Sequence, residues 1–231
     1  MGVGALGGFL DAAARGVFPP ADGGVTVVPQ PGALVAGVLS FTAHSVIFTD
    51  VEPEWVRTTL AATPCDPLAA SMNPAFLVAL AGRAGRRMND TIDLLTVADA
   101  LPGDPDPALR LEELDDPAHP RVVRARKFRD EVRGWRTPLG GLVVLGRGVA
   151  GRWETSVEVD EGVRGRGLGR QLAVAARHLV SGCEGGPVEG GGRGAAGVVW
   201  AQQSPGNARS VRTFQAAGFR AVGSEVLMVQ V

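Results

Sequence analysis

A glycine-rich turn between a β-like segment and an amphipathic segment constrains this chain more than any other feature. Val157-Glu158-Val159 alternates apolar and polar side chains, which predicts a strand. From Leu168 the apolar residues recur at helical spacing, which predicts a helix that ends by Gly182. Between them, glycine stands at every second position from Gly165 to Gly169. The segment therefore predicts a strand, a tight turn and a helix start in direct succession.

This arrangement is typical of a loop that binds an anion. Glycines let the backbone approach a ligand closely, and the first turn of a helix offers unpaired N–H groups at the positive end of its dipole. Arg164, Arg166 and Arg170 add positive charge with a geometry suited to phosphate. The dinucleotide-binding pattern G-x-G-x-x-G fits less well because the glycines follow a different spacing. A phosphate-binding loop and a purely structural glycine-rich turn remain the two interpretations.

A second segment, Asn207 to Phe219, predicts a helix with a recognisable start and end. Asn207 can cap the N-terminus by accepting a hydrogen bond from a main-chain N–H. Ser210 and Phe214 lie on one face of the helix. Gly218 suits the left-handed position after the last turn, and Phe219 can fold back onto that turn.

Together the two segments resemble the GNAT superfamily of N-acetyltransferases. Arg164 to Gly169 is similar to that family's cofactor loop, [Q/R]-x-x-G-x-[G/A], and Asn207 to Phe219 is similar to its later helix, N-x-x-[AS]-x-x-x-[YF]-x-x-x-G-F. The resemblance covers residues 108–231 and implies an α/β fold with a mixed sheet and acetyl-CoA as cosubstrate. It implies cofactor contacts at Val157, Val159, Arg164, Gly165, Arg166, Gly167, Leu168, Gly169, Arg170, Asn207 and Phe214.

The resemblance also implies a reaction, in which the amine of an acceptor attacks the thioester of acetyl-CoA directly. A main-chain N–H near Val157 to Val159, where the family's strand splays, is expected to stabilise the oxyanion. Glu154 and Glu158 are the candidates for accepting the proton of the ammonium, although the strand face that they share could equally be exposed to solvent. The acceptor itself is not identified by any motif.

The chain departs from the family where a proton donor is expected. Phe214 stands where many relatives have the tyrosine that protonates the leaving thiolate, and the chain contains no tyrosine. Ser210 could donate through a water molecule, or it could serve only in capping and packing. Gln202 stands where some relatives that acetylate protein N-termini have a glutamate. The alternative function is therefore a non-catalytic module that binds acyl-CoA.

The N-terminal half is predicted to be a separate α/β region. The proline-rich stretch from Pro102 to Pro107 suggests a boundary that divides the chain into residues 1–107 and 108–231. Residues 1–107 predict strands at 25–28, 34–41, 46–49 and 91–98 and helices at 54–62 and 74–84, and a degenerate GNAT-like half is one interpretation. Glycine dominates residues 182–197, which predicts a flexible surface loop.

The stretch from Arg121 to Arg136 predicts one basic amphipathic helix. It could contact phosphates or an acidic partner, or it could be an ordinary solvated face. Binding of nucleic acid is not favoured, because the aromatic residues of the segment, Phe128 and Trp135, belong to its apolar face and do not form a stacking platform among the arginines.

Composition excludes several classes of protein. The formal net charge is −1, so no overall field attracts nucleic acid or an anionic membrane. Cys65 and Cys183 are the only cysteines and lack metal-ligand spacing, so we expect neither a disulfide framework nor a metal site. No run of residues is long and apolar enough to span a bilayer, and we expect a cytoplasmic protein. A homodimer is compatible with the family resemblance.

Overall fold

The computed structural model describes residues 2–183 and 197–231. The chain forms two compact units, which are described separately here. Unit 1 contains the residues up to Leu95 together with Val222–Val231, and unit 2 contains Thr96–Ala221. Strands β5 (Asp93–Asp99) and β11 (Arg220–Gln230) each contribute residues to both units.

Unit 1 packs helices against a small mixed sheet. Its helices are α1 (Gly2–Ala14), α2 (Pro53–Ala62) and α3 (Pro74–Arg83), and its other strands are β1 (Gly24–Val28), β2 (Val35–Phe41), β3 (His44–Phe48) and β4 (Arg86–Met88). β3 pairs in parallel with β1 and antiparallel with β2, and β11 is antiparallel to both β2 and β4. Proline at the first position starts both α2 and α3, where its missing N–H costs nothing.

Unit 2 is built around a second run of strands. They are β6 (Glu112–Glu113), β7 (Asp130–Thr137), β8 (Gly141–Arg147), β9 (Trp153–Val159) and β10 (Val198–Gln203), and the helices are α4 (Pro120–Arg126), α5 (Leu168–Gly182) and α6 (Ala208–Ala216). The strand order is β5-β10-β9-β8-β7-β6. Neighbours from β6 to β9 are antiparallel, whereas β9 and β10 are parallel.

One apolar core holds α5 of unit 2 against this sheet. The apolar side of α5, including Leu168, Leu172 and Ala176, packs with Val143 and Leu145 of β8. Phe214, Phe219 and Val199 belong to the same cluster, which therefore joins α5, α6 and β10. Burial of this continuous apolar surface fixes the start of α5 relative to β9.

The predicted fold class, α/β with a mixed sheet, is confirmed. The strands and helices predicted for residues 25–98, the strand at 157–159 and the helices predicted after Leu168 and Asn207 are present, with boundaries shifted by a few positions. Helix α1 was not expected from the sequence. The glycine-rich loop predicted for 182–197 falls mainly on residues 184–196, which lie outside the described residues.

The prediction of a single helix from Arg121 to Arg136 is wrong. Helix α4 ends at Arg126, and β7 begins at Asp130. Glu131 has φ 48°, and the pairing of β7 with β8 shifts register between Asp130 and Arg133. Val132, Trp135 and Thr137 favour a strand, and pairing with β8 outweighs the helical spacing of the apolar residues. The basic helix proposed for binding phosphates or nucleic acid is therefore not present as one element.

The domain boundary near residue 107 stays a prediction. The two compact units divide the chain at 95/96 and at 221/222, and the segment after Pro107 begins with a short 3-10 turn, Pro107–Leu109. Within the described ranges, no helix combines the length and the apolar character that crossing a membrane requires. The same ranges contain no group of three or more side chains suited to binding a metal ion.

Candidate functional site

Strand β9 has one fully paired edge and one edge that opens into a gap. On one side it pairs with β8 along seven residues, from Trp153 opposite Arg147 to Val159 opposite Gly141. On the other side its register with β10 consists of one pair, Glu154 opposite Trp200. The two parallel strands therefore diverge beyond Glu154. The splay that the family resemblance implies at Val157 and Val159 is present.

The direction of the main-chain groups along β9 follows from the hydrogen bonds at its two ends. Asp160 N–H donates to Gly140 O at 2.9 Å, and Gly148 N–H donates to Arg152 O at 2.9 Å. In an antiparallel ladder such pairs alternate, so the even-numbered residues of β9 exchange bonds with β8. The main-chain N–H and C=O groups of Val157 and Val159 therefore point into the gap. There, Val159 O accepts a hydrogen bond from Arg164 Nε at 2.9 Å.

The turn after β9 needs glycine for two different reasons. Gly165 and Gly167 have φ 77° and φ 87°, in the left-handed region that disfavours other residues, and a Cβ at either position would meet open space. A Cβ at Gly169 would lie 3.3 Å from Thr213 Cγ2, so this glycine allows α5 and α6 to approach closely. Gly167 is also the N-cap residue of the fifteen-residue α5. The first N–H groups of α5 are thus presented beside a backbone without side chains.

A cavity of about 940 Å³ lies between this turn, β9 and α6. Its lining includes most of the predicted cofactor residues: Val157, Val159, Arg164, Gly165, Gly167, Leu168, Gly169, Arg170, Asn207 and Phe214. Of the predicted set, Arg166 is not among the lining residues. The structure therefore brings together two segments that lie about forty residues apart in the sequence.

The cavity is strongly basic. Among residues 2–183 and 197–231, five arginines line it, and the only lining carboxylate is that of Glu158. Arg209 and Arg212 of α6 were not predicted as site residues. Their spacing of three places them on the same helical face, and that spacing was the signal that the sequence offered. An anionic ligand with several phosphates matches this lining.

The ends of α6 confirm the local predictions. Asn207 Oδ1 accepts a hydrogen bond from Ser210 N–H at 3.1 Å, so Asn207 is the N-cap. Gly218 has φ 88°, and Phe219 N–H donates to Phe214 O at 3.0 Å. The rings of Phe214 and Phe219 meet edge to face, with centroids 4.9 Å apart. This C-terminal motif fixes α6, and with it the wall of the cavity.

The structure does not bring Glu154 to the cavity. Its carboxylate is buried and accepts hydrogen bonds from Arg152 Nε at 2.8 Å and Arg129 Nε at 2.9 Å. Val149 N–H donates to it as well, at 3.3 Å. Burial opposes ionisation, but Arg152 and Arg129 outweigh it and hold the pKa of Glu154 below its ordinary value. Glu154 is therefore a fixed carboxylate of the protein interior.

Glu158 does line the cavity. It is half-exposed, and its Oε2 accepts a hydrogen bond from Arg121 Nε at 2.7 Å. Arg121 belongs to α4, which packs against Leu142 and Val144 of β8 on the face of the sheet opposite α5. The sequence alone does not distinguish Glu154 from Glu158 as the candidate proton acceptor, because both side chains point to the same face of β9. Only the tertiary structure, which places two arginines around Glu154, separates them.

Ser210 and Phe214 both line the cavity, and neither has the chemistry of a tyrosine. Phe214 is buried and contributes an apolar wall. Gln202 lies near the point where β9 and β10 diverge, and its Oε1 is 3.4 Å from Arg129 Nη2. The position of Ser210 beside Phe214 permits proton donation through water but does not require it.

Comparison with known proteins found no matching family model and no matching curated protein. Among solved structures, the chain is similar to an acetyltransferase assigned to the GNAT family from Novosphingobium aromaticivorans, with a TM-score of 0.42, 18% identity and coverage of 63% of this chain and 67% of that one. It is also similar to a GCN5-related N-acetyltransferase from Kribbella flavida, with a TM-score of 0.38, 16% identity and coverage of 70% and 65%.

A third similarity is to an acetyltransferase of the GNAT family from Colwellia psychrerythraea, with a TM-score of 0.40, 10% identity and coverage of 85% of this chain and 81% of that one. Because all three TM-scores lie below 0.5, these similarities alone do not establish a function. In the comparison of structures, the chain is similar to acetyltransferases of the GNAT family, which is the family that its two sequence motifs resemble.

Proposed function

We propose that the cavity binds acetyl-CoA and that the protein transfers the acetyl group to the amine of an acceptor. One observation carries the proposal: the gap between β9 and β10 opens into a basic cavity whose far wall is a glycine turn at the start of a long helix. The gap supplies main-chain groups for an extended ligand, and the turn supplies a phosphate site. Acetyl-CoA has both parts, a pantetheine arm and a pyrophosphate.

The residues present fit this cosubstrate. The N–H groups at the start of α5, from Leu168 onwards, bind the pyrophosphate, because the helix dipole and the absence of side chains at Gly165 and Gly167 favour an anion there. Arg170, Arg209 and Arg212 supply further positive charge around it. The main chain of Val157 and Val159 binds the pantetheine arm in the gap. The cavity volume, about 940 Å³, lies at the upper end of the range for small-molecule sites.

Acetyl-CoA supplies an acetyl group on a thioester, whose carbon–sulfur bond breaks as the acceptor nitrogen bonds to the carbonyl carbon. Val157 N–H donates to the carbonyl oxygen as negative charge develops on it. Glu158 accepts the proton that the ammonium loses, directly or through water. Phe214 cannot donate a proton to the departing sulfur. That proton comes from solvent or through Ser210, and the low basicity of a thiolate makes this sufficient.

A non-catalytic acyl-CoA-binding module is the second candidate. The observation that favours it is the loss of two of the expected proton-transfer groups: Phe214 replaces the tyrosine, and the carboxylate of Glu154 is paired with Arg129 and Arg152 in the interior. Turnover separates the two candidates, since the enzyme releases CoA in the presence of an amine and the module only binds. Location in the cytoplasm, homodimer formation and a role of residues 1–107 in shaping the acceptor site stay predictions.

The test is calorimetric titration of acetyl-CoA into the wild-type protein and into Gly167→Glu. The variant places a carboxylate where the pyrophosphate binds, and we expect it to lose binding. Gly85→Glu is the matched control: Gly85 also has positive φ and open space around its Cβ, but it lies in unit 1. Failure of the folded wild type to bind acetyl-CoA, or equal binding by Gly167→Glu, contradicts the proposal. Release of CoA is then measured with a panel of amines.

A further inference from the structure

We infer that the acceptor is a free α-amino acid, with its ammonium bound by Glu158 and its carboxylate bound by Arg121. This inference rests on the proposed function and names the substrate class of the same cavity. It follows from the charges that line the cavity and from the way in which one pair of them is placed.

The arginines of the cavity fall into two groups. Arg164, Arg170, Arg209 and Arg212 come from the glycine turn, α5 and α6, which surround the proposed phosphate end. Arg121 comes from α4, packed on the opposite face of the sheet, and it contacts Glu158 at 2.7 Å. The phosphates of acetyl-CoA neutralise the first group. They leave Arg121 and Glu158 as a separate pair of opposite charges.

This pair can bind a ligand. Its side chains are 30% exposed for Arg121 and 43% exposed for Glu158, and both line the cavity. Within the described part of the chain, the hydrogen bond between the two side chains joins Nε of Arg121 to Oε2 of Glu158. Oε1 and the two Nη nitrogens are therefore placed to bind a ligand that carries both charges. In an α-amino acid, a single carbon atom separates the ammonium from the carboxylate, which suits two protein charges in direct contact.

The position of the pair also matches the reaction. Glu158 follows Val157, whose N–H points into the gap between β9 and β10. An ammonium bound by Glu158 is therefore held next to the residue proposed to stabilise the oxyanion. Glu154, on the same strand face, cannot compete for it, because Arg129 and Arg152 already enclose its buried carboxylate.

Other classes of amine fit less well. A polyamine or an aminoglycoside brings several positive charges to a pair that offers only one carboxylate, and the guanidinium of Arg121 repels the charges that remain. A simple alkylamine has no carboxylate, so it leaves the two Nη nitrogens of Arg121 without a hydrogen-bond partner from the ligand after water is displaced. A zwitterion satisfies both side chains and adds no net charge.

The test measures CoA release with acetyl-CoA and three matched sets of acceptors: the common L-amino acids, their methyl esters, and the amines that lack the carboxylate. We expect amino acids to be preferred. We expect Arg121→Gln to lower kcat/KM for the best amino acid by about 10- to 100-fold, the loss expected for a charge-assisted hydrogen bond. The same variant should lower kcat/KM for the corresponding ester by a clearly smaller factor, because the ester carries no carboxylate for Arg121 to bind.

Two controls keep the outcomes distinct. Arg136→Gln removes an exposed arginine of β7 that does not line the cavity, and we expect no change in preference. Calorimetric binding of acetyl-CoA to Arg121→Gln and Arg121→Lys shows whether each variant folds and retains the cofactor site. Equal use of esters or simple amines by the wild type, or an unchanged preference in Arg121→Gln, overturns the amino-acid inference and leaves the transferase proposal standing. Absence of acetyl-CoA binding by the wild type overturns both.

Discussion

The two glutamates of β9 provide the sharpest test of how the site is built, because they are chemically identical and lie four residues apart on one strand face. The perturbation is Glu154→Gln, compared with Glu158→Gln. Each change keeps the shape of the side chain and removes its negative charge. The structure predicts opposite outcomes, because Glu154 is 3% exposed and Glu158 is 43% exposed.

The magnitude follows from the partners. Glu154→Gln removes the carboxylate that the guanidinium groups of Arg129 and Arg152, which are 11% and 4% exposed, share. Loss of one partner from a buried ion pair costs about 3–5 kcal/mol. For a chain of this size, one kcal/mol shifts Tm by about 2–4 °C, so we expect Tm to fall by about 6–20 °C. Glu158→Gln breaks a half-exposed pair that contributes at most about 1 kcal/mol.

The assay is thermal unfolding at neutral pH, followed by circular dichroism, together with the rate of CoA release for each variant that remains folded. We expect Glu154→Gln to be markedly less stable. Glu158→Gln should keep its Tm within about 4 °C of the wild type and lose most of its kcat. Near-equal Tm values for the two variants would refute the assignment of Glu154 to the interior. Unchanged turnover in Glu158→Gln would refute its role as the proton acceptor.

Two further predictions concern acidity and helix packing. The folded state lowers the pKa of Glu154, so the stabilisation by its carboxylate is complete above the ordinary pKa of 4.5 and is lost as the pH falls from there through the folded-state pKa. Between pH 7 and pH 3, the Tm of the wild type should therefore fall more steeply than the Tm of Glu154→Gln. Parallel curves of Tm against pH would contradict this prediction. Gly169→Ala places a Cβ 3.3 Å from Thr213 Cγ2 and should weaken acetyl-CoA binding by separating α5 from α6. Adding Thr213→Ser removes that methyl group and should restore binding. A double variant that binds no better than Gly169→Ala would show that this contact is not the cause.

Much of the site could be predicted from the sequence because its components are local. The tight glycine turn at 165–169, the left-handed Gly218 and the cap at Asn207 are properties of short segments, and each is present. The order of strand, turn and helix around residue 165 is likewise set by neighbouring residues. Such features require no knowledge of what packs against them.

The remaining features depend on contacts between distant residues. The apolar residues from Arg121 to Arg136 do recur at helical spacing, but pairing with β8 makes the second half of this segment the strand β7. The difference between Glu154 and Glu158 arises from Arg129 and Arg152, and the sequence alone does not show which glutamate they surround. The same is true of Arg121, whose partner lies thirty-seven residues later.

The most direct test of the account is a crystal structure of the protein grown with acetyl-CoA. We expect the pyrophosphate to contact the main-chain N–H groups at the start of α5, beside Gly165 and Gly167. We also expect the thioester carbonyl oxygen to lie within hydrogen-bonding distance of Val157 N, between β9 and β10. Acetyl-CoA bound elsewhere, or crystals grown at saturating ligand in which this cavity contains only solvent, would contradict the central claim.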